Sequence, residues 1–282
     1  MIDQIIANGL VLGAIIALMA IGMTLIFGIL RIVNFAHGEF YMLGAVMVFY
    51  SMVQVGIGYI WASLIAIATT GLLGWVSERF VFRRFHGDLI GGCVAAIALS
   101  IGFQAISWVI FGPRPGRVSS VVTGSVEIFG ATLTTERLLI TGVSLTVLLG
   151  MAWLISRTKL GKAMRAVQQD SEAAQSQGIS VKFISGLTFV IAAALAALAG
   201  VLVAPLYTIT PGIGVMPLIF AFIVIIVGGM GSIMGAFVAA FIIGFQQSFT
   251  SSFWGPQFSL AVSFGLAIII LIFRPRGLMG HD

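Results

Sequence analysis

The sequence predicts an all-α protein, a polytopic transmembrane helical bundle of eight or nine spans with broken helices. Three observations carry that expectation. Sixty per cent of the 282 residues are apolar and only 8% are charged, where a soluble domain carries about a quarter. The mean hydropathy is +1.15. The charges are also confined: none lies between Asp3 and Arg31, Glu39 and Glu78, Asp88 and Arg114, Arg137 and Arg157, or Lys182 and Arg274. A helix needs roughly 20 apolar residues to cross a ~30 Å hydrocarbon core, so each gap holds at least one crossing.

Taken in order, the apolar runs place helices at 5–29, 34–54, 57–77, 89–111, 137–156, 184–204, 217–229, 233–252 and 257–273, within one domain covering 1–282. No Lys or Arg precedes the first run and no cleavage site follows it, so it is expected to be a retained span. The run 217–229 is too short to cross unaided and ends in Gly228-Gly229-Met230-Gly231, which predicts a half-helix or part of a broken one. The segment 112–136 differs in character. Gly112-Pro113-Arg114-Pro115-Gly116 is rich in turn formers, and Val118–Leu133 mixes Val, Ile, Thr and Gly as a short hairpin does. Such a hairpin can meet an extracytoplasmic partner or lie flat as a cap.

Basic residues set the orientation. If the loops holding Arg31, Arg79–Arg84, Arg157–Lys182 and Arg274–Arg276 face the cytoplasm, eleven of the 14 Lys and Arg lie inside. That is the positive-inside bias, and it predicts an N-terminus outside, a C-terminus in the cytoplasm and an odd number of crossings. The net charge of +5 is therefore a topology signal and gives no reason to invoke nucleic acid. The lone Cys93, in Gly-Gly-Cys-Val-Ala-Ala, excludes an internal disulfide and reads as a small packing residue.

A short internal likeness joins the two ends. Leu18-Met-Ala-Ile-Gly22 leads to Asn34-Phe-Ala-His-Gly38 and then Leu43-Gly44-Ala45; Leu195-Ala-Ala-Leu-Ala-Gly200 leads to Gly228-Gly-Met-Gly231 and then Gly235-Ala236. The first helices of the two sets run in opposite directions, so any repeat is inverted, as in many transporters whose broken helices lie near the binding site.

Polar residues inside apolar runs are the candidate functional positions. Asn34, His37 and Glu39 are expensive in lipid, an acid costing roughly 2.5–3.5 kcal/mol at midspan on the translocon scale. They must face protein or a watery path, and Gly38 loosens the helix between them, freeing backbone that needs a buried or hydrated partner. The same residues can instead do no more than hydrogen-bond neighbouring helices and fix a bend. Gly228, Gly229 and Gly231 carry a similar choice between a substrate pathway and tight helix packing. No metal site is expected: His37 and Glu39, two apart, point away from each other on a helix, and no His or Cys cluster accompanies them.

The loop 157–182 is the most informative cytoplasmic stretch. Asp170 can cap a short helix, Glu172 favours its positive end, and Gly178 can end it in the left-handed conformation. Small Ala173 and Ala174 would let that helix seat in another protein's groove; a solvated connector is the bland alternative. No G-x-x-x-x-G-K-[ST] occurs anywhere, so ATP hydrolysis must come from a separate subunit.

These stretches resemble a known family. Glu172-Ala173-Ala174-x-x-x-Gly178 matches the EAA-x-x-x-G core by which permeases of ATP-binding-cassette (ABC) importers engage their ATPases, although the motif's later Ile and Leu-Pro are missing at the usual offset. Gly28-Ile-Leu-Arg-Ile-Val-Asn34-Phe-Ala-His37-Gly38-Glu39-Phe-Tyr-Met-Leu-Gly44 resembles the signature of permeases in branched-chain amino-acid (leucine/isoleucine/valine-type) ABC importers. The likeness continues through Gly161-Lys-Ala-Met-Arg165-Ala, Leu187-Thr-Phe-Val-Ile, Ala199-Gly-Val-Leu and Gly228-Gly-Met-Gly-Ser-Ile-x-Gly235-Ala236. The short stretch ahead of the first span is similar to the smaller of the two permeases such importers pair. The resemblance implies no cofactor in this chain, with ATP and Mg used by two partner ATPase subunits. It implies further partners in a second permease, an extracytoplasmic substrate-binding protein and membrane lipid, in a bacterial inner membrane. It places coupling at Arg165, Asp170, Glu172, Ala173, Ala174 and Gly178. Substrates in the family include branched-chain amino acids, urea, short amides and aromatic acids.

Two other classes compete. An autonomous ion-coupled transporter or channel needs ionisable groups deep in its spans, and beyond Glu39 the core has almost none. A membrane-embedded hydrolase needs a nucleophile and base, and of three His only His37 lies in a span.

Overall fold

The structure, a computed structural model, describes residues 2–112, 116–128 and 130–280. Its elements in chain order are α1 (Ile2–Leu30), α2 (His37–Val53), α3 (Tyr59–Phe80), α4 (Leu89–Phe111), β1 (Ser125–Ile128), β2 (Ala131–Thr134), α5 (Thr135–Arg157), α6 (Lys159–Gln169), α7 (Ser171–Ser176), α8 (Val181–Val203), α9 (Val215–Gly228), α10 (Ile233–Phe253) and α11 (Ser259–Phe273). Among the described residues, seven helical stretches are long and apolar enough to cross a membrane. They are α1, α3, α4, α5, α8, α10 and the stretch Pro256–Phe273 that contains α11. The two remaining apolar runs become shorter helices: α2 has 17 residues and α9 has 14. The eight or nine crossings expected from apolar runs are thus matched by only seven full-length helices.

The ends of the helices gather into two faces. On one, Thr132 N–H donates to Gln4 Oε1 at 3.0 Å, the Arg137 guanidinium to Asn8 Oδ1 at 2.6 Å, and Gly116 and Ile209 form an antiparallel bridge. The hairpin expected within 112–136 lies here, with β1 and β2 antiparallel and Ser125 opposite Thr134. Of the turn-forming stretch 112–116, residues 113–115 lie outside the described residues. The opposite face collects the end of α1, the start of α4, α6, α7 and the chain end: Arg83 donates to the Lys182 carbonyl at 3.4 Å, and Leu278 N–H to the Val227 carbonyl at 2.8 Å. All the loops grouped by their basic residues lie on this second face. It also holds the ion pair Arg83–Glu78, at 2.5 Å.

Helices α1 and α8 are the axis of the body and are buried along most of their length, whereas α4 and α11 bury little of theirs. Small residues make the close packing possible. A Cβ on Gly44 would strike the Ala197 backbone, and one on Gly200 the Tyr41 carbonyl, so α2 and α8 meet main chain to main chain. Without a hydrophobic drive in lipid, such contact is what holds helices together.

Candidate functional site

The chain breaks between α1 and α2 and turns back into the body. Arg31 adopts a left-handed φ of 56°, and its N–H donates to the Phe27 carbonyl at 2.8 Å, closing α1. Residues 31–36 are irregular, and His37 Nε2–H then donates to the Met19 carbonyl at 3.1 Å. Met19 is eleven residues back from Leu30, about 16 Å along a helix axis at 1.5 Å per residue. Segment 31–36 therefore re-enters beside α1, and α2 starts near mid-depth. Asn34 Oδ1 accepts from Ala36 N–H at 3.0 Å, a local turn that aims the chain into α2.

A second break meets the first. After α8, residues 204–214 return to the same depth, where Gly214 packs on Gly38: a Cβ on Gly38 would lie 2.7 Å from the Gly214 carbonyl oxygen. From this junction α2 runs to the hairpin face, where Phe49 covers Gly116, and α9 runs to the basic face. Glu39 Oε1 accepts from the Ser100 hydroxyl at 2.9 Å, halfway along α4, and Gln104 Nε2 donates to the Pro211 carbonyl at 3.4 Å. Asn34 and His37 are fully buried and Glu39 is 4% exposed. Asn34 Nδ2 and His37 Nδ1 have no partner. No group of three or more His, Cys, Asp or Glu that could hold a metal occurs among the described residues. The arrangement holds a polar discontinuity at mid-depth.

The predicted pathway residues are not all brought together. Gly228, Gly229 and Gly231 lie a whole helix away, about 20 Å for 14 residues at 1.5 Å each, on the basic face. Gly228 backs onto Gly235, Gly229 onto Gly277 and Gly280, and Gly231 receives Gln168 Nε2 on its carbonyl at 2.9 Å. Sequence reasoning missed Ser100, Gln104 and the re-entry at 204–214. A signal for the last was present in Pro205, Pro211, Gly212 and Gly214, which fill the gap between two apolar runs.

On the basic face, 157–182 folds as two helices, not one. The expected capped helix is α7: Asp170 Oδ1 accepts from the N–H groups of Glu172 at 2.9 Å and Ala173 at 3.0 Å, and Gly178 follows with φ 81°. Ahead of it, α6 buries Met164 and Val167 and turns its lysines outward. Ala174 does not face outward as the groove-seating expectation requires; it is buried against Met164, Val167 and Ile184 of its own chain. Glu172, Ala173 and Gly178 are exposed. Arg165, also exposed, donates to the Ile155 carbonyl at the end of α5, where a cation satisfies an orphan acceptor. Arg31, Arg165, Gln168 and Gly231 border a cleft of about 1160 Å³ on this face.

Comparison with known proteins agrees with this architecture. A family model described as "Branched-chain amino acid transport system / permease component" matches residues 5–272. The chain is 34% identical over 293 residues to the high-affinity branched-chain amino acid transport system permease protein BraD of Pseudomonas aeruginosa, covering 99% of this chain and 95% of BraD. It is also 34% identical to the corresponding permease protein LivH of Salmonella typhimurium, covering 97% of this chain and 94% of LivH. Among solved structures, PsaBC from Streptococcus pneumoniae in complex with Fab shares the fold, with a TM-score of 0.60 at 14% identity over 98% of this chain and 97% of that one. With a match that runs from α1 into α11, this chain belongs to the family of permease components of branched-chain amino acid transport systems.

Proposed function

We propose that this chain is one of two permease subunits of an ABC importer in a bacterial inner membrane, taking up branched-chain or other small amino acids or related compounds. A binding protein delivers substrate at the hairpin face, and two ATPase subunits dock on α6 and α7. The observation that carries this is α7 itself. A capped helix with Glu172 and Ala173 exposed stands on the basic face of a body otherwise made of apolar spans, in a chain with no phosphate-binding loop. The relatives BraD and LivH, whose names state branched-chain amino acid transport, support the substrate class.

The basic face is the cytoplasmic one, with the N-terminus outside. Segment 31–36 with α2 makes one composite crossing, and 204–214 with α9 makes another, for nine in all. The order α1–α2–α3–α4 then recurs, inverted, as α8–α9–α10–α11. In this pairing 31–36 corresponds to 204–214, not to the glycines 228–231 that the sequence likeness had aligned with it. Asn34, His37, Gly38 and Glu39 border the substrate path by building its break, while Gly228, Gly229 and Gly231 serve it from the cytoplasmic end. The chain itself holds no cofactor.

Purification from the native membrane tests the class. A second permease and two ATPases should co-purify with this chain. An autonomous ion-coupled transporter would be recovered without ATPases and would move substrate without ATP.

A further inference from the structure

The second break leaves main chain uncovered at mid-depth. Gly214 is pinned there by Gly38, and Pro211 by Gln104, about one turn along α4 from the Ser100–Glu39 bond. Yet Gly212, Val215 and Met216 are exposed, Met216 to 56%, and a Cβ on Gly212 would touch nothing. This stretch is turns and the first residues of α9, held by single-turn bonds and not by a continuous ladder: Ile213 N–H donates to the Thr210 carbonyl at 3.0 Å and Val215 N–H to the Gly212 carbonyl at 3.2 Å. Irregular backbone at membrane depth survives only where it is covered by protein or lines water. Gln104, partly exposed beside it, adds an amide that lipid would also reject. The flanking exposed surface of α4, by contrast, is apolar helix with its backbone bonds internal, as at Ile97 and Ile101.

We propose that Pro211–Met216, with Gln104, forms this chain's wall of a water-filled permeation path at mid-membrane. That water and not protein faces this wall, and what stands across the path, rest on the permease reading above. The wall carries no charge, so it holds neither cations nor anions tightly, as a conduit that must also release its cargo requires. Glu39 lies behind the wall at 4% exposure and acts through Ser100 as a positioning residue.

The test is cysteine accessibility in the assembled importer in membranes. Cys93, the one native cysteine, is first replaced by Ser; Gly212→Cys, Val215→Cys and Met216→Cys are then made singly. Leu149→Cys, 68% exposed near the middle of α5, is the lipid-facing control. A charged methanethiosulfonate reagent needs a hydrated thiolate, so at least two of the three wall positions should label ~10-fold or more faster than Leu149→Cys. Comparable slow labelling at all four positions, in an importer that still takes up substrate, overturns the proposal. Gly212→Cys meets no neighbour and serves if the other variants misassemble. Failure of the two-permease reading shows separately, as absence of a second permease among co-purified subunits with labelling intact.

Discussion

Gly38 and Gly214 stand main chain against main chain where α2 and α9 begin, and neither position has room for a Cβ. A methyl on Gly38 would approach the Gly214 carbonyl oxygen to 2.7 Å and Leu218 Cβ to 3.0 Å, so backbone must move. Gly38→Ala should therefore destabilise the protein by about 1–3 kcal/mol, the usual cost of overpacking. Thermal unfolding of the purified protein would register it, with Gly102→Ala as the comparison, since a Cβ there meets nothing. An unchanged midpoint for Gly38→Ala would mean the two breaks are not in contact.

Glu39→Leu removes the acceptor of the Ser100 hydroxyl. Ser100 can turn to the carbonyl four residues back, as helical serines do, so the stability loss should stay near ~1 kcal/mol and the protein should still insert and assemble. Uptake should fall, and Glu39→Gln, which keeps an acceptor, should restore most of it. Normal uptake by Glu39→Leu would reduce Glu39 to a bend-fixing role.

Orientation is open to a direct check. A reporter fused after residue 282 should report the cytoplasm, and a tag at Ser120, on the hairpin face, should be reached from outside. Labelling of Ser120 only from the inside would invert the assignment and remove α7 from the ATPases.

At the end of α7, Gly178 has φ 81° and open space around it, so the cost of Gly178→Val is conformational, with no clash. Left-handed backbone costs a non-glycine residue roughly 1–2 kcal/mol, more for a β-branched one. Transport should be lost, with ATPase subunits dissociating or hydrolysing ATP without response to substrate. Gln177→Ala should change little. Full substrate-stimulated hydrolysis by Gly178→Val in reconstituted membranes would remove this loop as the coupling element.

Asp170→Ala deletes the side-chain oxygen that accepts both amide bonds at the α7 start, worth about 1 kcal/mol for a typical cap. Coupling should weaken while insertion is unaffected, and added Asp170→Asn, which still caps, should behave like the native chain in the same ATPase assay.

What the sequence by itself determined is what local interactions and the bilayer decide. Charge-free runs of spanning length became helices within a few residues of their expected ends, because lipid forces every backbone group to be satisfied within the segment. The 217–229 run, too short to cross, became the half-helix α9. Asp170 and Gly178 bounded α7, since a cap and a left-handed residue act within one turn. The family was legible for a similar reason, in motifs read along the chain.

Only the tertiary structure decided depth and partnership. Nothing near Asn34 in sequence says that His37 meets Met19, that Glu39 meets Ser100, or that Gly38 meets Gly214. Those contacts join residues up to 176 positions apart in the numbering, and they depend on two chain segments re-entering the body from opposite faces. The same holds for Ala174, which α6 and α8 turn inward, and for Gly229, which the chain end covers. Side-chain chemistry states that a polar group in an apolar run needs a partner; the packing of α1, α4, α8 and α9 chooses which one.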